Sequence, residues 1–418
     1  MILSFYFLIS LNWAISITSP DEGRNAHVVL NMIKTKDFLV PYYNCHYRFE
    51  KPPMLYWLSV ITSLFFGINE FSLRLVSGLS AVGIAVFLYL ISRIFFEEAL
   101  AWKALLIFLT LPHVWIEARS FTPEMLLNFF SIGGIYFFLR EKPIIGWIFL
   151  GLAVLTKGPV GIILPFTVIL FFRIFQKRFK IFDPLGIGLF LIIGTSWYLI
   201  MVYKFGFYYF YEFFLLENIF RYTGEKKFHP YPFYYYLIIL LIVTFFYIPI
   251  YYKIFLKRKH LFISPLKPFL FWFLFVIIFY SISVNKLHHY ILFAYPPLCV
   301  ILAYFTTEKY LKTVLISSAL FFLSLFLLVY FYYEKERFTN KAKDFLKIYR
   351  TDIYFYKCNL SSLVFYLETC IPNLENPKDF KKGFIITKKY KPNFNNCLKI
   401  IEAKEFNEDY ILLYCHYK

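Results

Sequence analysis

The polar stretch Thr18–Pro53 decides how the rest of the chain is interpreted. It opens with Ser19-Pro20-Asp21-Glu22-Gly23-Arg24-Asn25-Ala26-His27 and closes with Tyr47-Arg48-Phe49-Glu50-Lys51-Pro52-Pro53. Both ends carry charges and lie beside strongly apolar sequence, where a charge is costly unless it is paired, solvated or used in chemistry. We therefore interpret this stretch as part of an active site at a membrane surface.

The composition indicates an integral membrane protein. The 418 residues are 60% hydrophobic, 23% aromatic and 17% charged, and the mean hydropathy is +0.59. A very hydrophobic soluble enzyme is excluded because apolar runs of membrane-spanning length recur from Ile2 to Tyr333. The net charge of +18 comes mostly from Lys and Arg in short loops between these runs. That pattern is typical of topology signals and contacts with anionic lipids, not of nucleic-acid binding.

The apolar runs predict eleven transmembrane helices. They are Ile2–Ile17, Leu73–Phe96, Leu100–Trp115, Phe121–Leu139, Ile144–Leu155, Val160–Phe175, Leu185–Tyr203, Phe233–Phe255, Phe269–Val284, Tyr290–Phe305 and Thr313–Tyr333. The alternative for the first run is a cleaved signal peptide, but it lacks an Ala-x-Ala cleavage site, so we predict a retained helix. Two amphipathic segments, Asp21–Lys36 and Pro52–Phe66, are predicted to lie at the interface.

The distribution of basic loops predicts the orientation. A cytoplasmic N-terminus places the short basic loops inside, which the positive-inside rule favours. These loops are 140–142, 173–180, 253–260 and 309–312. We expect a multi-pass protein of a bacterial-type inner (plasma) membrane, with the active site and the C-terminal domain outside the cytoplasm.

This orientation brings polar clusters from five separate stretches to the outer side. They are Thr18–Pro53, Glu117–Glu124, Thr156–Pro159, Glu217–Pro232 and Asn285–Tyr290. Taken alone, Glu124 could be a helix N-terminal acid, worth ~0.3–1 kcal/mol through the helix dipole. Lys157 could belong to a simple Lys-Gly-Pro connector. However, a cation on the outer side runs against the positive-inside trend and fits an anionic substrate group better.

The sequence contains no compact zinc signature. The adjacent His288 and His289 are more often hydrogen-bonded anchors than metal ligands, and their spacing to other candidate ligands does not match a zinc motif. A divalent metal would need Glu50, His229 or another ligand to join in space. We expect no required cofactor.

The order and spacing of the polar motifs resemble glycosyltransferase family 39 of the GT-C membrane enzymes. This group includes protein O-mannosyltransferases and the aminoarabinose transferase of lipid A. The motifs are Asp21-Glu22, Phe49-Glu50-Lys51-Pro52-Pro53 with Tyr56-Trp57, Arg119 to Glu124, Leu155 to Gly161, and Lys286 to Pro296. The chain is closer to the aminoarabinose-transferase-like branch, since no large extracytoplasmic domain interrupts the predicted spans. The implied fold is an all-α polytopic GT-C membrane protein with interfacial helices in the first outer loop.

The resemblance implies transfer of a sugar, with inversion, from a polyprenyl-phosphate-linked donor at the outer face. The acceptor would be a glycolipid, such as lipid A, or a protein. The implied catalytic residues are Asp21, as the carboxylate that accepts a proton, with Glu22 and Glu124 in support. The implied donor-phosphate ligands are Lys51, Arg119, Lys157, Arg221 and Lys286. The residues that would position acceptor or sugar are Glu50, Tyr56, His289 and Tyr290.

Two positions depart from the family pattern. The family usually has Asp where Glu124 stands, which moves the charge by one methylene. The usual run Lys-Leu-Pro-His-Tyr reads Lys286-Leu287-His288-His289-Tyr290 here, so His289 is the matching histidine and His288 the additional one. Neither departure removes a catalytic group, but the exact sugar does not follow from the resemblance.

The composition changes at residue 334. We predict a membrane module over 1–333, with a first outer loop at 18–70 and a second at 204–232, and a small extracytoplasmic α/β domain over 334–418. Its predicted strands are Ile353–Tyr356, Phe384–Thr387, Leu398–Ile401 and Tyr410–Tyr414, and its predicted helix is Ser361–Leu367. Its cysteines, Cys358, Cys370, Cys397 and Cys415, allow three disulfide pairings or a reduced core.

Two other classes of function remain as alternatives. A transporter or flippase of lipid-linked saccharides would also be aromatic-rich, but it should carry charges in mid-span and repeated halves with interrupted helices. Here the predicted spans are nearly free of charge, and no internal repeat is visible. A purely structural membrane protein leaves the clustering of polar residues on one side unexplained. The enzyme hypothesis therefore accounts for most of the sequence.

Overall fold

The computed structural model describes residues 8–176, 179–225, 227, 229–263, 265–349, 351–376, 380–389, 394 and 397–416. The chain divides into two compact units, which are described separately. The cavity unit comprises Phe49–Leu58, Arg74–Phe322 and the described residues up to Ser10. The tail unit comprises Leu11–Arg48, Ser59–Leu73 and the described residues from Leu323 onward.

A helix is found within each of the ten predicted spans that follow the first. In chain order the helices are Glu70–Phe95, Glu98–Leu109, Glu124–Leu139, Pro143–Lys157, Val160–Gln176, Pro184–Phe210, Tyr235–Val243, Ile248–Leu256, Lys267–Ile282, Tyr295–Phe305 and Glu308–Leu328. The span predicted over Phe233–Phe255 is divided between two helices that meet at an angle of 76°. The predicted first span, Ile2–Ile17, begins outside the described residues.

The number of membrane crossings stays a prediction. Among the described residues, four helical stretches are long and apolar enough to cross a bilayer, and the bent pair would make a fifth. They are Glu70–Phe95, Pro184–Thr223, His288–Phe305 and Glu308–Glu336. Five further apolar helices are 10–17 residues long, which is shorter than the ~20 residues that cross a bilayer without distortion.

The local sequence explains the helix ends that carry Glu124 and Lys157. Pro123 precedes the helix Glu124–Leu139, so its fixed φ angle prepares the first turn and Glu124 lies at the positive end of the helix dipole. The helix Pro143–Lys157 stops at Gly158, whose φ is 78°. Residues with a side chain rarely adopt this conformation. The chain then enters the helix Val160–Gln176, and Lys157 is left at the turn.

Close helix packing fixes this turn. A Cβ atom on Gly161 would lie 2.4 Å from the carbonyl carbon of Ala153, so only glycine permits the two helices to approach this closely. The helices Glu124–Leu139, Pro143–Lys157 and Val160–Gln176 all contact one another. Their inner faces join one large buried apolar cluster, in which Leu150 and Leu164 are at most 3% exposed. The polar end groups are therefore held by a rigid apolar scaffold.

The tail unit contains the predicted α/β structure. The helix Ser361–Leu367 and the strand Ile353–Tyr356 have the predicted bounds, and the other strands extend slightly further, over Lys382–Lys388, Cys397–Glu405 and Glu408–His416. The first two strands pair in parallel and the remaining pairs are antiparallel. Glu408–His416 therefore lies between Lys382–Lys388 and Cys397–Glu405.

The tail unit also contains the predicted helix near the N-terminus. This helix spans Asp21–Thr35, and it packs against Ser361–Leu367. A Cβ atom on Gly23 would lie 2.4 Å from the backbone of Ser361. The second predicted interfacial helix is found at Met54–Phe66. The prediction placed the tail domain at 334–418, whereas the compact unit also takes in two N-terminal segments.

Two disulfides lie within the tail unit, and one corrects the predicted pairing. Cys397 pairs with Cys415 across neighbouring strands. Cys370 pairs with Cys45, 325 residues earlier. Only the four tail cysteines had been considered as partners, so this pairing was missed. The Cys358 thiol donates to the Ile386 carbonyl.

Candidate active site

A cavity of about 580 Å³ lies within the cavity unit. Most of its wall is apolar or aromatic, and it includes Pro159, Val160, Ile163, Phe210, Phe213, Phe214, Leu215, Ile219, Phe279, Tyr280 and Tyr290. Its charged lining residues are Glu50, Lys51, Lys157, Glu217 and Arg221. A largely apolar cavity with a few placed charges is the usual form of a small-molecule site. Five predicted site residues therefore line one cavity: Glu50, Lys51, Lys157, Arg221 and Tyr290.

A buried ion pair lies beside this cavity. Lys157 Nζ is 2.7 Å from Glu124 Oε1, and the side chains are 15% and 4% exposed. The same ammonium lies 4.8 Å from the centre of the Tyr290 ring, within cation–π range. Lys51 also acts on the Glu124 carboxylate through its charge. The pair thus brings the second and third predicted polar clusters together.

The second oxygen of Glu124 has a different environment from the first. Oε2 is buried and has no hydrogen-bond partner among the described residues. Glu124 and Lys157 line a small void of about 10 Å³ together with Asn128, Tyr280 and Tyr290, enough for about one water molecule. An unsatisfied buried acceptor is costly unless a ligand or water supplies a donor. The Glu124 carboxylate is therefore poised to accept a further hydrogen bond.

A chain of imidazoles and carboxylates continues away from the cavity. His289 Nε2 lies 3.3 Å from Glu124 Oε1, and His289 Nδ1 lies 4.0 Å from Glu117 Oε1. His289 is the histidine that matches the family pattern. Its ring therefore bridges the two acids of the predicted Glu117–Glu124 cluster.

The positive charge of Arg221 at the cavity is paired with a nearby carboxylate. Its Nη1 lies 3.0 Å from Glu217 Oε2, one helical turn earlier. Asn285 donates to the Arg221 carbonyl at 2.6 Å and fixes this part of the wall. Lys51 lines the cavity half-buried and Glu50 lines it exposed. The cationic side chains that line the cavity and would face an anionic ligand are Lys51, Lys157 and Arg221.

Arg119, Lys286 and Tyr56 are among the predicted site residues that do not line the cavity. Arg119 donates to the carbonyls of Trp115 and Ser10 and lies over the Trp115 ring. Lys286 is buried and donates to the carbonyls of Tyr231 and Ser283. Tyr56 is 1% exposed and lies within the packed interior. Backbone carbonyls thus hold the charges of Arg119 and Lys286, and the predicted roles of all three residues in ligand binding stay predictions.

Asp21 and Glu22 belong to the tail unit and differ from each other. The buried Glu22 accepts hydrogen bonds from the Thr18 backbone N–H at 3.0 Å and from the Thr18 hydroxyl at 2.7 Å. These bonds secure the start of the helix, in the manner of a capping box. Asp21, in the same first turn, is half-buried. Its role as the catalytic carboxylate stays a prediction.

The sequence analysis missed a cluster that includes His113 and Glu117. Within the described residues, His113, Glu117 and His288 are the group of three or more metal-ligating side chains whose ligand atoms lie close enough to share an ion. The predicted metal candidates, Glu50 and His229, are not members of it. The signal was available, because His113 and Glu117 are four residues apart on one short helix and therefore share a face.

Comparisons with known proteins place the chain in a family. The family model for dolichyl-phosphate-mannose-protein mannosyltransferase matches residues 50–200. An uncharacterized protein from Aquifex aeolicus is 47% identical over 99% of this chain and 97% of its own length. An undecaprenyl phosphate-alpha-4-amino-4-deoxy-L-arabinose arabinosyl transferase from Shewanella sediminis is 30% identical over 68% of this chain. The chain belongs to the GT-C glycosyltransferases of the aminoarabinose-transferase type.

Solved structures of GT-C proteins share the fold. The crystal structure of ArnT from Cupriavidus metallidurans bound to undecaprenyl phosphate superposes with a TM-score of 0.77 at 18% identity, over 98% of this chain and 96% of that one. An oligosaccharyltransferase from Archaeoglobus fulgidus gives a TM-score of 0.54 at 12% identity, over 92% of this chain and 68% of its own. The GT-C fold predicted from the motifs is thus confirmed, together with the small C-terminal sheet.

The match to the named transferases covers only part of their length. The alignment spans 55% of the Shewanella sediminis protein and 56% of a transferase of the same name from Wigglesworthia glossinidia brevipalpis, which is 28% identical. The chain therefore spans a little over half the length of these named transferases.

Proposed function

We propose that this protein transfers a sugar from a polyprenyl-phosphate-linked donor to a glycolipid or protein acceptor. The observation that carries the proposal is the cavity, which combines a largely apolar and aromatic wall with Lys51 and Lys157. A polyprenyl phosphate has the matching chemistry, with an apolar chain joined to an anionic head. A soluble nucleotide-sugar donor would leave most of the apolar wall without a partner.

The cations would act on the phosphate that leaves the sugar. Negative charge grows on this phosphate as the glycosidic bond to it breaks, and placed ammonium groups stabilise such charge more in the transition state than in the ground state. Lys51 is the principal candidate on the basis of the family resemblance, and it lines the cavity. Lys157, which pairs with Glu124, would add its charge from the cavity wall.

Glu124 would orient the sugar. Its Oε1 is held by Lys157 and His289, while its buried Oε2 lacks a partner among the described residues. A sugar hydroxyl that entered the small void beside it would supply the missing donor. This arrangement assigns Glu124 to positioning and leaves proton transfer to another carboxylate.

Asp21 is our candidate for that carboxylate, on the basis of the family resemblance. The acceptor hydroxyl must lose a proton as the new glycosidic bond forms, and an ionised carboxylate can take it. The helix N-terminus at Asp21 favours the charged form. Glu22 is the less suitable base of the two, because its Oε2 already accepts the two hydrogen bonds from Thr18 that secure the helix start.

We further propose that the tail unit lies outside the cytoplasm. The disulfides Cys45–Cys370 and Cys397–Cys415 both belong to it. Disulfides of this kind persist mainly in oxidising compartments. The basic loops predicted to be cytoplasmic support the same orientation.

A reconstituted transfer assay tests the proposal. The purified protein would be placed in liposomes with a labelled polyprenyl-phosphate sugar and a lipid A-type glycolipid, and the products analysed by mass spectrometry. We expect a glycosylated acceptor with inverted anomeric configuration. Movement of the intact donor across the bilayer, with no new glycosidic bond on this or a protein acceptor, would instead favour a flippase.

A further inference from the structure

Three side chains on two segments of the cavity unit converge at the far side of His289. His113 and Glu117 come from the short helix Pro112–Glu117, and His288 comes from the turn His288–Ala294. His113 Nε2 is 2.8 Å from His288 Nδ1 and 3.3 Å from Glu117 Oε1. Glu117 Oε1 is in turn 3.6 Å from His288 Nδ1. The three ligand atoms thus form a small triangle.

The size of this triangle suits a tetrahedral transition metal. Zinc binds imidazole nitrogen and carboxylate oxygen at about 2.0–2.2 Å, which places neighbouring ligand atoms about 3.3 Å apart. The three observed separations lie on both sides of this value, so sub-ångström shifts would centre an ion. Two imidazoles and one carboxylate also form a ligand set that favours Zn²⁺ over Ca²⁺ or Mg²⁺, because those two cations prefer oxygen ligands.

The surroundings of the triangle resemble those of a metal centre. His113 Nδ1, the nitrogen on the far side of the ring, lies 2.6 Å from the hydroxyl of the buried Tyr295. The Tyr295 hydroxyl can accept a hydrogen bond from Nδ1–H, and in that arrangement Nε2 keeps its lone pair for an ion. His113 and Glu117 are buried, but the His288 side chain is 51% exposed. The third ligand therefore stands at the entrance, where an ion can enter and a water can complete its coordination.

We propose that His113, Glu117 and His288 form a binding site for a divalent transition metal, with Zn²⁺ the best match. The ion would join the helix Pro112–Glu117 to the turn that carries His289. At a separation of 2.8 Å, one of the two facing nitrogens, His113 Nε2 or His288 Nδ1, carries a proton. The ion would replace this proton, because an imidazole nitrogen must be deprotonated to bind a metal. The site does not depend on the proposed transfer reaction.

Metal binding by the purified full-length protein tests the proposal. The affinity tag would be removed, the protein treated with chelator and desalted, and Zn²⁺ added in a calorimetric titration. Retained zinc would be counted by elemental analysis. We expect one equivalent per chain in the wild-type protein and a midpoint of thermal unfolding that rises with added Zn²⁺, because an ion that binds the folded state stabilises it.

The variants are chosen to separate loss of a ligand from loss of folding. His288→Ala removes the exposed ligand, and His288→Pro restores the residue usual in the family. Both should weaken Zn²⁺ binding at least tenfold and abolish the thermal shift. Glu117→Gln should also weaken Zn²⁺ binding. If this variant does not fold, the two His288 variants test the proposal. His260→Ala is the matched control, because His260 is an exposed histidine outside the cluster, and it should bind like the wild type.

Two results would overturn the proposal. One is a wild-type protein that retains no stoichiometric Zn²⁺ and shows no heat of binding. The other is wild-type affinity in His288→Ala, which would place any bound zinc elsewhere in the chain.

Discussion

Two buried ion clusters, one in each unit, have similar charges but differ in how completely they are satisfied. In the tail unit, Glu405 Oε1 accepts from Arg337 at 3.0 and 2.6 Å, and Oε2 accepts from the Thr339 backbone at 3.0 Å. In the cavity unit, Glu124 Oε1 contacts Lys157 and His289, but Oε2 has no partner among the described residues. We call the Glu405 cluster closed, because both carboxylate oxygens have partners, and the Glu124 cluster open, because one oxygen has none among the described residues. A closed cluster holds a fold together, whereas an open cluster beside a cavity is suited to a ligand.

The contrast extends to Arg337 itself. This fully buried guanidinium also donates to Glu334 and to the carbonyls of Ser16 and Ile17. It therefore connects the beginning of the described chain to the tail within one unit. The Lys157 ammonium makes one ion pair and one ring contact, and it lines the cavity. Burial alone does not distinguish the two roles, but the satisfaction of each polar atom does.

The largest effect is expected at Asp21, next to the structurally occupied Glu22. Asp21→Asn keeps size and hydrogen bonding but removes the basic carboxylate, so the rate of sugar transfer should fall by ~10²–10⁴-fold. Glu22→Gln is the matched control and should lower the thermal midpoint more than Asp21→Asn does, because it disturbs the contacts with Thr18. A folded Asp21→Asn protein with wild-type transfer would rule out this carboxylate as the base.

The closed cluster should be important for stability. Glu405→Ala would leave the buried Arg337 charge poorly compensated, and we expect a loss of ~3–5 kcal/mol in the free energy of unfolding. Glu402, on the same strand, pairs with Lys389 and Lys399 at the surface. Glu402→Ala should therefore lower the free energy of unfolding far less than Glu405→Ala does. Chemical denaturation of the purified variants measures both, and equal losses would remove the distinction between closed and exposed pairs.

The open cluster should be important for transfer. Glu124→Gln keeps two polar atoms in place but removes the charge, and we expect the transfer rate to fall by about 10–100-fold, as when one positioned hydrogen bond to a substrate is weakened. The exposed Glu308 serves as the control in Glu308→Gln. A Glu124→Gln variant that lost stability as severely as Glu405→Ala, with unchanged specific activity of the folded fraction, would make Glu124 a structural residue.

The sequence predicted much of the fold because the signals were local. Apolar runs located a helix in each of the ten later spans, and short strand-like runs located all four strands of the tail sheet. Span number could not be fixed, because short apolar helices such as Pro143–Lys157 are ambiguous by length. The pairing of Cys45 with Cys370 joins residues 325 positions apart, and no local pattern encodes such a contact.

The site was predicted where a charge conflicted with its setting and where the family motifs matched. Lys157 was identified because a cation on the predicted outer side opposes the topology rule, and it does line the cavity. Arg119 and Lys286 carried a similar signal, but backbone carbonyls satisfy their charges. Sequence cannot reveal this, since carbonyl positions depend on how distant segments pack. Phe213, Phe214 and Phe279 of the cavity wall were not predicted, because aromatic residues occur throughout the chain.

The most direct test of the account is whether Lys51 helps the cavity to hold a polyprenyl phosphate. Binding of undecaprenyl phosphate to the purified protein would be measured for the wild type, Lys51→Met and the control Lys312→Met, which changes an exposed lysine outside the cavity. We expect Lys51→Met to weaken binding about tenfold, as for the loss of one charge-assisted contact of ~1.4 kcal/mol, with the control unchanged. Equal affinity for all three proteins, each shown to be folded, would contradict the assignment of this cavity to the donor phosphate.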